Sequence, residues 1–580
     1  MMNNNKILFL LVITIFLVGS CSQEEILDKS PLTEISEADV WTDPALVESF
    51  VNARYSKIGH GWAESWQSSV VDETYLTWSR GCEPYTQGYV SPSDLGRMNG
   101  AWWGWDNRAW NTVWGNISNC NLFFERVEEV EFADLEVKNR LIGEVTFIRA
   151  LMYFDLVSRW GGMPVITKAY TLADREEFLN VERDTYRKNV DFIVSECDKA
   201  AELLPATYSG TNTGRATKIA ALALKSRMLL YAASPLMNKS GVNELVGYPS
   251  PDANRWKNAA DAAKACIDAA LENGYALYDQ YDDVKENYTQ LFLDGGNSEV
   301  IFDRQGGASS DGIELSYLDQ SNGPNGYGQW GGNTPISELV DDFEMADGSK
   351  FDWSNPAHKA NPYANRDARL YATVLSDGDI WMGRAVETYL IADESGTIVS
   401  GGKDTKYGQD NWNTSKSAYN IRKFMDESYQ PNSWNFQNPK NWIWFRLGEQ
   451  YLNYAEALYQ LGEEPGARDA LNMIRNRAKM PEVTASGEEL WQSIVNERRI
   501  ELCFEEHRYF DVRRWMIAED VLNRNATGVE IVLNTDGTKT YTPGVLVEQR
   551  QFNAPAMYWM PIPKSEIDKN PKLLQNPGYN

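Results

Sequence analysis

Two stretches of this sequence concentrate aromatic rings among glycines. Trp62, Trp66, Tyr75, Trp78, Tyr85, Tyr89, Trp102, Trp103 and Trp105 fall in the first, and Tyr317, Tyr327 and Trp330 in the second. A sugar ring presents apolar C–H faces that stack on aromatic rings, and hydroxyls that need polar partners. Aromatic side chains supply the contact area at low conformational cost. Asp72, Glu73, Asn99, Asp311, Asn325 and Arg366 are candidates for the polar half. The set carried forward for glycan binding is Trp66, Asp72, Trp78, Trp103, Tyr317, Tyr327, Trp330 and Arg366. Any single tryptophan is more commonly packing than platform. Trp110 and Trp114, four apart, fit the core face of a helix, and Trp444, Trp491 and Trp515 also read as structural. Trp78, Tyr327 and Trp330 have Gly or Ser close by, and no periodicity claims them.

Other chemistries find weaker support. Residues 496–515 mix charges at helical spacing. Glu497 and Glu501 share a face, so a catalytic carboxylate pair is conceivable. Arg498 stands three residues from Glu501, and a salt-bridged structural helix is the preferred reading. His507, beside Glu505 and Glu506, reads as a capping or surface group rather than a metal ligand. The acids of 341–348 miss the EF-hand spacing and its distal Glu, which leaves a helix end and an Asp-Gly turn. Gly326, Gly328 and Gly331 complete a G-x-G-x-x-G, but no strand pattern precedes it and no helix opens after it, so a flexible aromatic loop is preferred to a dinucleotide site. No Walker lysine, G-x-S-x-G or H-E-x-x-H motif occurs. The 82 acidic residues leave a glycosidase pair open, and no local pattern nominates one. No catalytic residue, metal or cofactor is expected.

The elements that must position these residues sit in a chain of 580 residues, 43% hydrophobic and 24% charged, which is globular composition. Lys+Arg number 55 against 82 Asp+Glu, a net charge of −27 that repels phosphate backbones and argues against a general nucleic-acid binder. His60, His358 and His507 are the only histidines, so a His-built metal site is not favoured. Residues 7–18 form an apolar run too short to span a bilayer and suited to a signal peptide. Gly19 and Ser20 then precede Cys21, a pattern like a bacterial lipobox, in which Cys21 would be acylated as an anchor. The expected division is a signal peptide over 1–20, an acylated N-terminus and tether over 21–43, and one body over 44–580. Cys82, Cys120, Cys197, Cys266 and Cys503 are scattered and odd in number, which argues against zinc ribbons and a disulfide framework.

Asp43 and Pro44 mark a helix start. Helical periodicity resumes at 107 and predicts helices over about 137–159, 185–204, 215–233, 254–273, 444–461, 465–477 and 488–505. Several come as hairpins with short connections. Residues 451–462 (YLNYAEALYQLG) and 467–478 (ARDALNMIRNRA) resemble a tetratricopeptide hairpin, with Ala455 and Ala457 allowing close approach. Residues 274–443 differ: Gly, Asn, Asp and Trp are frequent, and only 299–302 and 389–391 suggest short strands. This reads as a loop-rich insert on a mostly α scaffold, and such loops are where binding usually sits.

The sequence resembles one family, the SusD/RagB-like outer-membrane nutrient-binding lipoproteins. The resemblance rests on 27–31 (LDKSP) with Trp41, 144–164 (EVTFIRALMYFDLVSRWGGMP), 215–227 (RATKIAALALKSR), 451–478, 497–515, 561–570 (PIPKSEIDKN) and 575–579 (QNPGY), in that order after Cys21. It implies a mostly α fold with four tetratricopeptide-like units and a loop-rich face. It implies a lipid-anchored protein displayed on the outer membrane of a Gram-negative bacterium, and Gln23-Glu24-Glu25 resembles the acidic export signal of such lipoproteins. It implies a SusC-like TonB-dependent transporter as partner, and oligosaccharide or polysaccharide held on an aromatic arc without catalysis. The family's glycan loops correspond here to 62–105 and 317–330. Alternatives left open are a surface glycoside hydrolase and capture of peptides or glycopeptides by the same scaffold.

Overall fold

The computed structural model describes residues 37–62, 64–78, 81–99, 109–306, 313–428 and 440–579. The chain is mostly helical, as expected. The principal helices are α1 (Pro44–Tyr55), α2 (Trp110–Arg126), α3 (Leu135–Trp160), α4 (Tyr186–Leu203), α5 (Lys218–Ala233), α6 (Asn254–Glu272), α7 (Leu447–Gln460), α8 (Glu464–Arg477) and α9 (Gly487–Glu501). From α2 to α9 each packs on the next, a continuous stack in which neighbours in sequence are neighbours in space. Their starts follow the cap residues. Asp43 Oδ1 accepts from Ala45 N at 2.8 Å ahead of α1, and Thr185 and Thr217 cap α4 and α5.

Helix α3 is the axis of the stack. Residues 143–160 are buried all round, so the apolar spacing that marks the helix is joined by buried polar residues on its other faces. Its charged residues survive burial because each is paired: Glu144 with Arg140 and Arg215, Arg149 with Glu196, Arg159 with Asp155. Gly161, at φ +77°, ends the helix where a Cβ would meet the Leu245 carbonyl at 2.6 Å. Alanines at 220, 223, 259, 260 and 263 are buried in α5 and α6, which lets these helices approach closely.

The strand expectations hold in part. Residues Val300–Arg304 form a strand, and so do Leu390–Ala392. The helix expected from 444 begins only at Leu447. Its front end is instead the strand Trp442–Arg446, paired antiparallel with Val300–Arg304. The aromatic, branched run WIWFR suits a strand once a partner is present, and that partner is about 140 residues away in sequence. The helix expected to reach 505 stops at Glu501, and a second short helix runs His507–Arg514. The long hairpin Ala526–Leu533 with Lys539–Glu548, turning at Asp536-Gly537, was not expected; it joins Leu390–Ala392 and Ile398–Gly401 in a four-stranded sheet.

Buried ion pairs join the insert to the scaffold. Glu501 of α9 receives Arg369 from the insert together with Arg446 and Arg477. Glu497 receives Arg369 and Arg475, and Glu505 receives Arg446 and Lys423. The arginines hold the Glu501 carboxyl well below the usual carboxylate range, although burial alone would raise it. The structural reading of 496–515 therefore stands, with different partners: Arg498 pairs with Asp511, not Glu501. His507 is not at the surface. It is buried against Arg498, and burial with four surrounding arginines drives its imidazole well below the usual range, toward the neutral form.

Candidate functional site

A two-stranded ribbon builds the site. Thr74–Leu76 pairs antiparallel with Asn333–Pro335, Tyr75 opposite Thr334. Past the ribbon's end, Thr77 donates from its N–H to the Gly332 carbonyl at 2.9 Å and from its hydroxyl to the Gly331 carbonyl at 2.6 Å. This registers Trp78, just after one strand, beside Trp330, just before the other. Their rings meet edge to face, centroids 6.2 Å apart at 71°, a favoured arrangement. Both rings remain partly exposed. The Trp78 ring lies on Gly332, where a Cβ would sit 2.9 Å from its Cη2. Trp78 Nε1 donates to Asn413 Oδ1 at 3.1 Å.

The third ring, Tyr327, is fixed by charge. The Arg384 guanidinium stacks 3.7 Å above it, and the Tyr327 hydroxyl donates to the Arg384 carbonyl at 2.9 Å. Arg384 makes two parallel bonds to Asp404, at 2.9 and 3.1 Å, and Asp404 also accepts from the Gly326 N–H at 2.9 Å. A Cβ on Gly326 would stand 2.4 Å from Arg384 Nη2, and one on Gly331 2.6 Å from the Asn413 carbonyl. Gly326 and Gly331 thus serve close packing of the loop that carries Tyr327 and Trp330, and Gly328, at φ +78°, serves its turn. The motif follows the helix Ile313–Asn322 and precedes a strand, which is not a dinucleotide-site context. Trp412, next to Asn413, is 60% exposed, and Tyr407 on the same segment is 41% exposed. The arrangement offers two partly exposed indoles, a cation-backed phenol and an exposed tryptophan, with amides and charged pairs alongside.

Of the eight residues expected to bind, the structure brings Trp78 and Trp330 into ring contact, and Tyr327 stands three residues before Trp330 on the same loop. Three others need correction. Trp66 is in the core, packed against Trp62, Phe424 and Phe504. Asp72 is buried between Arg499 and Arg508, which hold its carboxyl far below the usual range. Arg366 is buried too, its guanidinium donating to the carbonyls of Val340, Phe343 and Pro362. The Trp66 ring is enclosed by other aromatic rings, and the charges of Asp72 and Arg366 are taken up by partners inside the protein. For Tyr317 only the backbone, within Ile313–Asn322, is described; Trp103, like the acylation candidate Cys21, lies outside the described residues. The sequence reading missed Arg384, Asp404, Trp412 and Asn413. A tryptophan between two asparagines at 411–413 was the available signal.

The comparisons with known proteins agree with this architecture. The profile of the SusD family matches residues 298–579, and a second, described as starch-binding associating with outer membrane, matches 97–230. The crystal structure of a SusD-like protein from Bacteroides fragilis is 31% identical, with 95% of this chain and 100% of that one covered and a TM-score of 0.76. This chain belongs to the SusD/RagB-like family. Another SusD-like relative, SusD-like protein P38 of Formosa agariphila, is 23% identical over 90% of this chain and 93% of its own length. A solved laminarin-binding SusD-like protein is 20% identical with a TM-score of 0.63, covering 93% of this chain and all of that one, which bears on the SusD-like fold alone.

Proposed function

We propose that this SusD-like chain is a non-catalytic glycan-binding protein of the cell surface. It captures oligosaccharides on the face formed by Trp78, Tyr327 and Trp330 and delivers them to a SusC-like TonB-dependent transporter. The observation that carries the reading is the meeting of two partly exposed indoles, Trp78 and Trp330, at one ribbon end from segments about 250 residues apart, with partly exposed Tyr327 on the Trp330 loop. Solved relatives described as carbohydrate-binding or laminarin-binding share the fold, which supports the same ligand class here. Outer-membrane placement draws on the family description and on the lipobox-like pattern at Cys21. The non-catalytic part draws on the fate of the carboxylates. Glu497 and Glu501, the pair that spacing nominated, are buried and ion-paired. Asp404, beside the loop of Tyr327, is ion-paired with Arg384.

The test is calorimetric titration against a panel of plant, microbial and host oligosaccharides, with product analysis of each mixture. Saturable binding of intact sugar, weakened by Trp330→Ala, is the expected result. Cleaved sugar would overturn the non-catalytic reading, and binding of peptides in place of every glycan would overturn the ligand class.

A further inference from the structure

A concavity lies on the scaffold and shares no residue with the aromatic face. It forms where the 207–217 segment, the turn after α6, the 296–298 turn and the strand Val300–Arg304 meet, and its volume is about 260 Å³. That is room for one small ring rather than a chain segment. Two tyrosines, Tyr208 and Tyr275, line it, and the buried Ile301 and Phe302 supply apolar floor.

The polar groups around these rings are almost all neutral. Ser298 and Gln305 contribute a hydroxyl and an amide. Arg215 is the lining cation, and it is held by Glu48 and Glu144, so its charge is already matched. Asp303 is buried, and its Oδ2 accepts from Asn441 Nδ2 at 2.6 Å. The Tyr208 hydroxyl is shielded from solvent and has no hydrogen-bond partner among the described residues. A buried hydroxyl without a partner is uncommon and calls for one.

Glycines in the left-handed region line the notch. Gly274 and Gly296 have φ of +84° and +67°, and a Cβ on either would meet nothing within 4 Å. Gly214, at φ +89°, does the reverse. Its missing Cβ admits the Gln305 amide, whose Nε2 would lie 2.2 Å from it, and brings that amide to the rim.

We propose that this notch is a second binding site, for a single neutral sugar unit, independent of the aromatic face. Aromatic rings for the C–H face, hydroxyl and amide groups for the sugar hydroxyls, and a matched cation that offers nothing to an anion together define that class. The site stands whether or not the aromatic face binds glycan.

The experiment is saturation-transfer NMR with D-glucose, D-galactose and D-mannose, and with D-glucuronate as the anionic counterpart. It uses the wild-type protein, the double variant Trp78→Ala/Trp330→Ala, and the near-isosteric variants Tyr208→Phe and Ser298→Ala, each checked by its melting curve. At least one neutral hexose is expected to show transfer to wild type and to the double variant. That transfer is expected to fall about fivefold in Tyr208→Phe or Ser298→Ala, the scale of one lost hydrogen bond. Transfer lost in the double variant and unchanged in the other two would overturn the second site while leaving the aromatic face in place. Transfer unchanged in every variant, or absent for every hexose, would also overturn it. Stronger transfer from glucuronate than from any hexose would overturn the neutral ligand class.

Discussion

Trp62 and Trp66 lie 16 and 12 residues before Trp78 and share its Gly- and Ser-rich surroundings, yet the two groups do different work. Trp62 and Trp66 are each 3% exposed and sit in a cluster with Phe424, Trp442 and Phe504. Trp78 keeps part of its ring in solvent against Trp330. A neighbouring glycine does not separate them. Gly61 makes room for the ring of Trp442 in the core, as Gly332 makes room for Trp78 at the rim. What separates them is the second element. The core pair is closed over by Trp442 of the strand Trp442–Arg446 and by Phe424 and Phe504, whereas Trp78, packed on the core along one side, meets Trp330 and Asn413 at the rim and stays partly exposed. Local composition thus marks where rings accumulate, and burial by distant segments decides which of them can meet a ligand.

The largest effect that tests this contrast belongs to neither group but to the ion pairs that close the core beneath them. Glu501→Gln leaves Arg369, Arg446 and Arg477 short of a shared carboxylate. It is expected to cost about 3–5 kcal/mol in denaturant unfolding, the range for breaking a buried pair. Its pH dependence has a definite sign. The Glu501 carboxyl lies below its ordinary value in the folded protein, so its contribution is full above the ordinary carboxylate range and is lost as pH falls through and below it. Acid unfolding curves should therefore be shallower for Glu501→Gln than for wild type.

Trp66→Ala comes next, at about 3–5 kcal/mol of stability, because it empties a fully packed site. The fraction that remains folded should bind glycan as wild type does. A folded Trp66→Ala protein with weakened glycan affinity would return Trp66 to the site.

Trp330→Ala and Trp78→Ala should show the opposite pattern, with melting temperature little changed and affinity reduced about tenfold, the scale of one lost aromatic stacking contact. A large fall in melting temperature with unchanged affinity would assign both rings to packing. Asn413→Ala is expected to give the smallest change. It removes the acceptor for Trp78 Nε1, worth about 1 kcal/mol, and should weaken glycan binding only when Trp78 is present. A double-mutant cycle with Trp78→Ala checks that coupling; additive losses would show that Asn413 does not act through the ring.

Much of the scaffold was legible because helices are written locally. The caps at Asp43 and Thr185, the alanines of α5 and α6, and the stop at Gly161 all act within a turn or two of themselves, although α5, expected from 215, begins only after its cap at Thr217. The strand Trp442–Arg446 was not legible as such, because its run of apolar residues fits a helix equally until a partner strand is known. The hairpin of Ala526–Leu533 and Lys539–Glu548 carried an Asp-Gly turn that went unused. At the site, Tyr327 and Trp330 were found because nothing periodic claimed them. Asp72 and Arg366 were misassigned because a charged residue looks the same in sequence whether it faces a ligand or a buried partner. Arg499 and Arg508, which consume Asp72, lie more than 400 residues away from it.

The sequence by itself determined the helical scaffold, the family and the places where aromatic rings gather, since these follow from spacing, caps and composition that act over a few residues. Only the tertiary structure decided which rings stay partly exposed, which charges are consumed, and that Trp78 meets Trp330. Exposure and pairing depend on segments brought together from hundreds of residues apart, and no local pattern encodes which segment will arrive.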